Sequence, residues 1–465
     1  MRLFPNKFNV DFTNDKSLAS RFILASGWIL GEHGLSQFLR FIGNLVLTRL
    51  LAPEMFGVMA VAHVFISGMI MFSDVGLNLN IIRSKRGDEA SFLNTAWTLQ
   101  VLRGTFLFAV SISLACLISV LSSTDLWRSE SVYRNLDLPW VIGLLSLSPL
   151  IDGFKSTKVA TANRNLDMGA VAFIQVGSQA AGTALMIFLA LANPSIYALV
   201  FGGIFSRCVF VFSSHYFLSG RGNRFTWDEE SVKEIFTFGK WIFLTSILGF
   251  LLASGDKLLL GGLTDPVNLG LYSLAMALIS ILVGISNKIV GKIGYAAISE
   301  IGRESPDRIK EIYYRIRFPL DGGLLLLAGI LFMIGSSVLE WLYDDRYQYA
   351  GHIIEVLSLS LIFNRYNLFS KVMSALGRPE LNVGINVIGI VSLYAGLPLV
   401  FNVYGFEGAL WYIAGYKVFT LPLIFHLKNK FHLCDYKQEL KGFLFLALGI
   451  LIGALCNVTY STLFN

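Results

Sequence analysis

Charge is scarce in this chain. Only 15% of its 465 residues are Asp, Glu, Lys or Arg, where soluble domains carry about 25%. The deficit runs along the whole length, which excludes a soluble domain of any size. Cysteine is scarce too. Cys116, Cys208, Cys434 and Cys456 lie far apart, with no CxxC spacing and no histidine cluster beside them. They exclude a disulfide scaffold and a structural metal site, and read as small apolar packers in helices. The alternating ten-residue segments of a β-barrel are missing. The N-terminus lacks a compact apolar stretch followed by a small-residue cleavage site, so the first helix is expected to be retained. Catalytic signatures are missing as well. Gly239-Lys240 and Gly291-Lys292 lack the glycine-rich lead and the Ser/Thr of a P-loop. Neither GxSxG nor HExxH occurs. Asp344-Asp345 could mimic a metal-holding acidic pair, but it sits in a short loop and reads as solvated. No enzyme, metal or cofactor is implied.

What is present is apolar sequence. Hydrophobic residues make up 54% of the chain, and mean hydropathy is +0.63. Apolar runs of roughly 20 residues recur from end to end, each long enough to span a bilayer. The fold class is an all-α polytopic membrane protein with about thirteen spans; twelve or fourteen are the alternatives at the C-terminal end. The basic residues test this layout. With the N-terminus cytoplasmic, 25 of the 37 Lys and Arg fall in inside segments and four (Arg49, Arg128, Arg134 and Arg346) in outside loops. That asymmetry fits the positive-inside rule. It also explains the net charge of +6 without nucleic acid.

Two short patterns return 213 positions later. Trp28-Ile29 recurs as Trp241-Ile242, and Pro53-x-x-x-Gly57 as Pro266-x-x-x-Gly270. In each half a Trp stands early in an apolar segment and a Pro…Gly turn follows its far end. Arg164-x-x-x-x-Gly169 resembles Arg378-x-x-x-x-x-Gly384 at nearly the same offset. An even number of helices per half makes the repeats parallel, as in many transporters with a site between the copies. The expected organisation is a cytoplasmic segment over 1–19, an N-lobe of six helices over 20–220 and a cytoplasmic linker over 221–239. A C-lobe of six helices follows over 240–428, then a loop and an added thirteenth helix over 429–465.

Charges inside spanning helices carry the functional signal, because each costs at least about 2.5–3.5 kcal/mol at the bilayer centre. Arg103, Arg207, Asp152 and Lys417 read as residues near helix ends that snorkel to water. Arg40 in helix one, Lys257 in helix seven, and Lys288 and Lys292 in helix eight are better placed. Lys288 and Lys292 are four residues apart and share a face. Cations from both halves around one cavity would suit a phosphate or diphosphate. The alternative is internal ion pairing, such as Arg40 with Glu32. Helix one also holds a polar stripe, His33, Ser36, Gln37, Arg40 and Asn44, at helical spacing. Such a stripe is expected to face a water-filled cavity. Glu32 and Asp74 are candidates for binding a coupling proton or sodium ion.

The stretch from Arg49, RLLAPEMFGVMAVAHVFISGMIMFSDVGLNLNIIR, resembles the bacterial oligosaccharide flippases of the polysaccharide transporter family. Arg49, Leu50, Leu51, Pro53 and Gly57 fit that family's turn after helix one, and Asp74, Gly76 and Leu77 fit its D-x-G-L near the end of helix two. ATANRNLDM and ALGRP look like its loops after helices four and ten. The wider multidrug/oligosaccharidyl-lipid/polysaccharide exporter superfamily shares the fold. The resemblance implies translocation of an undecaprenyl-diphosphate-linked oligosaccharide repeat unit across the bacterial inner membrane. It implies two lobes alternating access around a cationic cavity, driven by a proton or sodium gradient, for surface polysaccharide such as lipopolysaccharide or exopolysaccharide. Lipid-linked oligosaccharide, membrane lipids and a polysaccharide polymerase are the partners it suggests. A multidrug exporter or a lipid II-type flippase is the competing reading, and the former would favour a cavity rich in carboxylates.

Overall fold

The computed structural model describes residues 18–122, 124, 127–291, 298, 308–378 and 380–464. Among them the secondary structure is helical throughout. Nine helical stretches are long and apolar enough to cross a bilayer. One of these, Glu380–Lys430, holds two successive crossings. The chain turns at Gly405, whose φ of 68° suits a residue without Cβ. Helix α1 (Leu18–Leu50) and two broken rods over 137–164 and 348–375 supply the remaining members of the thirteen-helix layout.

The first half comprises α1, α2 (Pro53–Met71), the short α3 (Leu77–Arg83), α4 (Ala90–Ser122), and a rod of α5 (Asp137–Leu145), α6 (Leu147–Gly153) and α7 (Lys158–Arg164). Helices α8 (Met168–Ala192) and α9 (Ile196–Tyr216) complete it. The second half begins with α10 (Glu229–Leu263), α11 (Pro266–Ile289) and α12 (Ile309–Leu342). It continues through α13 (Gln348–Ser358), α14 (Leu361–Asn364), α15 (Asn367–Ala375), α16 (Glu380–Gly415) and α17 (Leu421–Lys430). Helix α18 (Tyr436–Phe464) follows. A broken rod at membrane depth must re-satisfy the carbonyls it frees. Gln100 on α4 does this for the first rod: its Nε2 donates to the carbonyls of Asp152, Gly153 and Lys155 at 2.9–3.1 Å.

The duplicated turns meet. Pro53 and Pro266 each open a helix at its first turn, where the missing N–H costs nothing. The two helix starts cross so closely that a Cβ on Gly57 would lie 2.0 Å from the Pro266 carbonyl oxygen. One on Gly270 would lie 1.9 Å from that of Pro53. Each half thus seats its proline carbonyl on the other half's glycine. A second reciprocal contact lies beside it. The 3₁₀ turns Val132–Arg134 and Asp345–Tyr347 are again 213 residues apart. From the first, the Tyr133 hydroxyl donates to the Leu258 carbonyl of α10 at 2.6 Å. From the second, the Tyr347 hydroxyl donates to the Leu51 carbonyl at the end of α1 at 2.8 Å. Arg346 adds a bond to the Arg49 carbonyl at 3.1 Å. Orphan carbonyls at the end of each half's first helix are capped by a loop of the other half: Gly261 on α10 by the Ser131 hydroxyl at 3.0 Å, and Arg49 and Leu51 at the end of α1 by Arg346 and Tyr347. These contacts close the face of the bundle opposite the linker between the halves.

The sequence suggests that the thirteenth helix is an appendage, but α18 is wedged against α12 and bonded to the second half by buried charge. Glu439 takes both Nη groups of Arg317, with Nη2 to Oε2 at 2.7 Å, and also accepts from Lys428. Arg365 binds Asp321 through Nε at 3.2 Å and reaches the Glu439 carbonyl at 3.2 Å. All five side chains are buried. Tyr313 and Tyr366 line the cluster: the Lys428 ammonium lies 4.9 Å from the first ring centre and the Arg317 guanidinium 5.0 Å from the second. By sequence position Arg317 and Lys428 fall among the inside-segment cations. They are instead the tie between α12, α17 and α18.

The linker is held outside the bundle. Its backbone donates to Asn94, Thr98 and Thr95 from Arg224, Thr226 and Asp228 at 3.0–3.1 Å. Hydrogen bonds from Ser231 and from Arg86 hold the Asp228 carboxyl below the usual carboxylate range.

Two substitutions test these contacts. Gly57→Ala and Gly270→Ala should each destabilise the closed bundle by about 1–3 kcal/mol, the usual cost of overpacking. Gly34→Ala, where nothing lies within 4 Å, should not. Thermal unfolding in detergent distinguishes them. Glu439→Gln leaves Arg317 and Lys428 buried without their carboxylate and should cost about 3–5 kcal/mol. It should also raise the rate at which protease cleaves around 431–436.

Candidate functional site

Around α1 the exposed apolar residues and the polar stripe take different sides. Leu35, Phe38 and Ile42 on one side of the helix are exposed, the placement of lipid-facing residues. The flank at Ser36 and Gly43 meets α8. Gln179 donates to the Ser36 carbonyl at 2.8 Å, and a Cβ on Gly43 would touch Thr183 at 2.8 Å. The stripe itself looks across the bundle at α11 of the other half. A Cβ on Gly284 would lie 3.5 Å from His33 Nε2 and 3.9 Å from Gln37 Nε2. Lys288 stands one turn further along α11. It lies within electrostatic reach of His33, as do Glu32 and Arg40. Cations from the two halves therefore stand near the same histidine. The His33 Nε2 atom has no hydrogen-bond partner among the described residues. Arg40 is exposed, and no carboxylate among the described residues lies within 4 Å of it. The expected alternative, an Arg40–Glu32 pair, is not formed. Glu32 accepts instead from Ser36 at 3.2 Å. Asn44 continues the stripe half-buried. Lys292 lies outside the described residues.

Lys257 belongs to a neighbouring group. It is half-buried on α10, with no carboxylate within 4 Å among the described residues. Both it and Arg207 lie within electrostatic reach of His63 on α2. Its neighbour Asp256 turns the other way, is buried, and accepts from the Tyr272 hydroxyl. Three of the four residues read as helix-end charges gather here, while Lys417 lies within electrostatic reach of Asp256. Arg207 pairs with Asp152. Arg103 bonds the Ser73 hydroxyl at 2.9 Å and the Ile70 carbonyl at 2.6 Å. Lys155 lies within reach of Asp152, Arg103 and Arg207. His63 was missed, although a lone histidine within the apolar run GVMAVAHVFISG was a visible signal. It is exposed while Ala62 and Val64 beside it are buried. Helix α2 is packed on α4, α5, α9, α10 and α11, so that exposed side opens into the interior of the bundle.

The two carboxylates considered for ion coupling differ. Asp74 closes a turn: its Oδ1 accepts from the Gly76 N–H at 2.8 Å, and Gly76 has φ 63°. Arg103 stands 4.0 Å away. Glu32 has no such structural task and lies beside the cleft. Elsewhere, Glu355 accepts the Ser336 N–H at 2.8 Å, and Glu407 pairs with His352 at 2.9 Å. Among the described residues no group of three or more His, Cys, Asp or Glu is arranged to hold a metal. The arrangement offers hydrogen-bond donors and positive charge to an anion.

The stripe makes a prediction. With the four native cysteines replaced, Gln37→Cys and Asn44→Cys should react with a small water-soluble thiol reagent. Phe38→Cys and Ile42→Cys should react at least tenfold more slowly, since a thiolate does not form in lipid. Equal labelling of all four would remove the aqueous cleft.

Comparison with known proteins identifies the family and the fold. Residues 46–319 match a family model described as polysaccharide biosynthesis protein. A Klebsiella pneumoniae relative described as an uncharacterized membrane protein in the cps region is 22% identical over 374 residues, covering 76% of this chain and 71% of its own. The lipid II flippase MurJ in an inward closed conformation superposes with a TM-score of 0.69 at 13% identity, covering 95% of this chain and 98% of that one. An inward-facing multidrug resistance MATE transporter of the MOP superfamily superposes with a TM-score of 0.58 at 12% identity, over 92% and 96%. At such identities the likeness establishes the fold. The chain belongs to the polysaccharide biosynthesis protein family and is a multi-pass membrane protein with the fold of the MOP-superfamily transporters.

Proposed function

We propose that this protein flips an undecaprenyl-diphosphate-linked oligosaccharide repeat unit across the bacterial inner membrane, with its N-terminus in the cytoplasm. The diphosphate is the part of such a substrate that a low-dielectric cleft must neutralise, and cations satisfy it best. Arg40 and Lys288 supply that charge from the two halves, and Gln37 and Asn44 add donors. Lys257 adds a cation on α10 in the neighbouring group, and Lys292 is proposed from the sequence as a further one. The observation that carries the reading is the convergence of α1 and α11 cations on the His33–Gly284 contact. Arg40 has no carboxylate partner there. A multidrug exporter is disfavoured because cations outnumber carboxylates around this cleft.

The closed face at Pro53 and Pro266 defines one state of an alternating-access cycle. The cleft then faces the linker side, which the basic loops assign to the cytoplasm. Glu32 is the carboxylate proposed to take up a coupling proton or sodium ion, since Asp74 is committed to its turn. The repeat unit is then passed to a periplasmic polysaccharide polymerase.

Complementation tests this directly. In a strain lacking the flippase, Arg40→Ala and Lys257→Ala should each restore roughly tenfold less surface polysaccharide or lower, the loss expected for a charged hydrogen bond. Protein levels in the membrane should be unchanged. Lipid-linked repeat units should accumulate on the cytoplasmic side. Full restoration by either variant would reject that residue's role. Accumulation of a dye or drug without any change in polysaccharide would point to the exporter reading.

A further inference from the structure

A second positively charged feature lies away from the cleft, where α12 and α18 enter the membrane side by side. The two helices run parallel: Tyr314 meets Glu439 at the start of both, and Phe318 packs on Phe445 further in, with ring centres 5.2 Å apart. Between their first turns is a cavity of about 770 Å³ lined by Lys310, Arg315 and Lys441, with Phe318 at its inner end. The lining also includes Glu311 and Asp435, but both carboxylates are engaged. Glu311 faces Arg308 at 3.7 Å. Asp435 accepts the Lys437 and Gln438 N–H groups at 3.1 and 3.2 Å as the cap of α18. Among the described residues no carboxylate lies within 4 Å of Lys310, Arg315 or Lys441.

The geometry points to a binding site for an anionic phospholipid in this groove, drawn from the leaflet on the linker side. Three observations define the occupant. The cations ring the end of the groove at the first turns of the two helices, where they could hold a phosphate head group. The groove turns aromatic one helical turn deeper, at Phe318, which is exposed, so an acyl chain can continue along it. The wall behind is already positive. Arg317, Arg365 and Lys428 face only Asp321 and Glu439, and Tyr314 bridges that cluster to the groove by donating to Glu439 at 2.9 Å. Basic pockets between spanning helices on the cytoplasmic side are the usual receptors for such head groups. The site is separate from the cleft and does not depend on what the cleft carries. A lipid there would brace α18 against α12.

Titration of the purified full-length chain in neutral detergent tests this site. The probes are short-chain phosphatidylglycerol, phosphatidylcholine with the same chains, and inorganic phosphate, and thermal unfolding is the readout. Phosphatidylglycerol should raise the unfolding temperature saturably. Phosphatidylcholine and inorganic phosphate should not, because one lacks net charge and the other lacks the chain. Replacing Lys310, Arg315 and Lys441 by Gln should weaken the phosphatidylglycerol response by roughly fivefold for each cation removed. Lys85→Gln with Lys233→Gln, which removes two basic charges outside the groove, should leave it unchanged. Glu311→Gln, which removes an acid from the rim, should strengthen it, so the test survives if the triple variant folds poorly. An unaltered response in the triple variant, a weaker one in Glu311→Gln, or an equal response to phosphatidylcholine or to phosphate alone would overturn the proposal.

Discussion

The bundle depends on one backbone contact that tolerates no side chain. Pro266 sets its carbonyl against Gly57, and Pro53 sets its carbonyl against Gly270, at distances that a single methyl group would violate. Between spanning helices there is no hydrophobic drive to association, so close backbone approach and polar contacts must supply it. Here the same motif is used twice, each copy clasping the other. The tyrosine bonds to the Leu51 and Leu258 carbonyls repeat the logic one loop away. A clasp formed by the helix starts draws the halves together at one face and leaves the α1 and α11 surfaces beyond it separate enough to hold polar residues.

This arrangement accounts for the sequence echo. The Pro…Gly pattern was legible because proline at a helix start and glycine at a crossing are local demands, visible without knowing the partner. The partner proved to be the other copy of the pattern, which spacing alone does not reveal. The polar stripe on α1 was legible for a similar reason. Helical periodicity places His33, Gln37, Arg40 and Asn44 on one face, and lipid cannot solvate that face. Trp28 packs under Gly169, but the side chain of Trp241 lies outside the described residues, so the Trp echo remains a feature of sequence.

What was not legible is pairing at long range. Arg103, Asp152 and Arg207 read as isolated helix-end charges, because nothing local reports that a broken rod brings Asp152 beside α9. Arg317 and Lys428 were counted with the loops, because the positive-inside rule weighs sign and position and is blind to partners. Their partner Glu439 lies on α18, and the three together make that helix a structural member of the second half. A cluster with three cations and two carboxylates is costly to bury. It stands near the starts of α12 and α18.

The central claim is that the Pro–Gly clasp opens and closes while the cationic cleft carries its substrate. Glu54 and Val267, exposed residues beside the two prolines, are suitable positions for spin labels. The decisive measurement is the distance distribution between labels at 54 and 267 in lipid vesicles, with and without a polyprenyl-diphosphate-linked oligosaccharide. An alternating clasp gives a short distance at rest and a second, longer population that grows when substrate is added. A single short distance under every condition, in a protein that still flips its substrate, would contradict it.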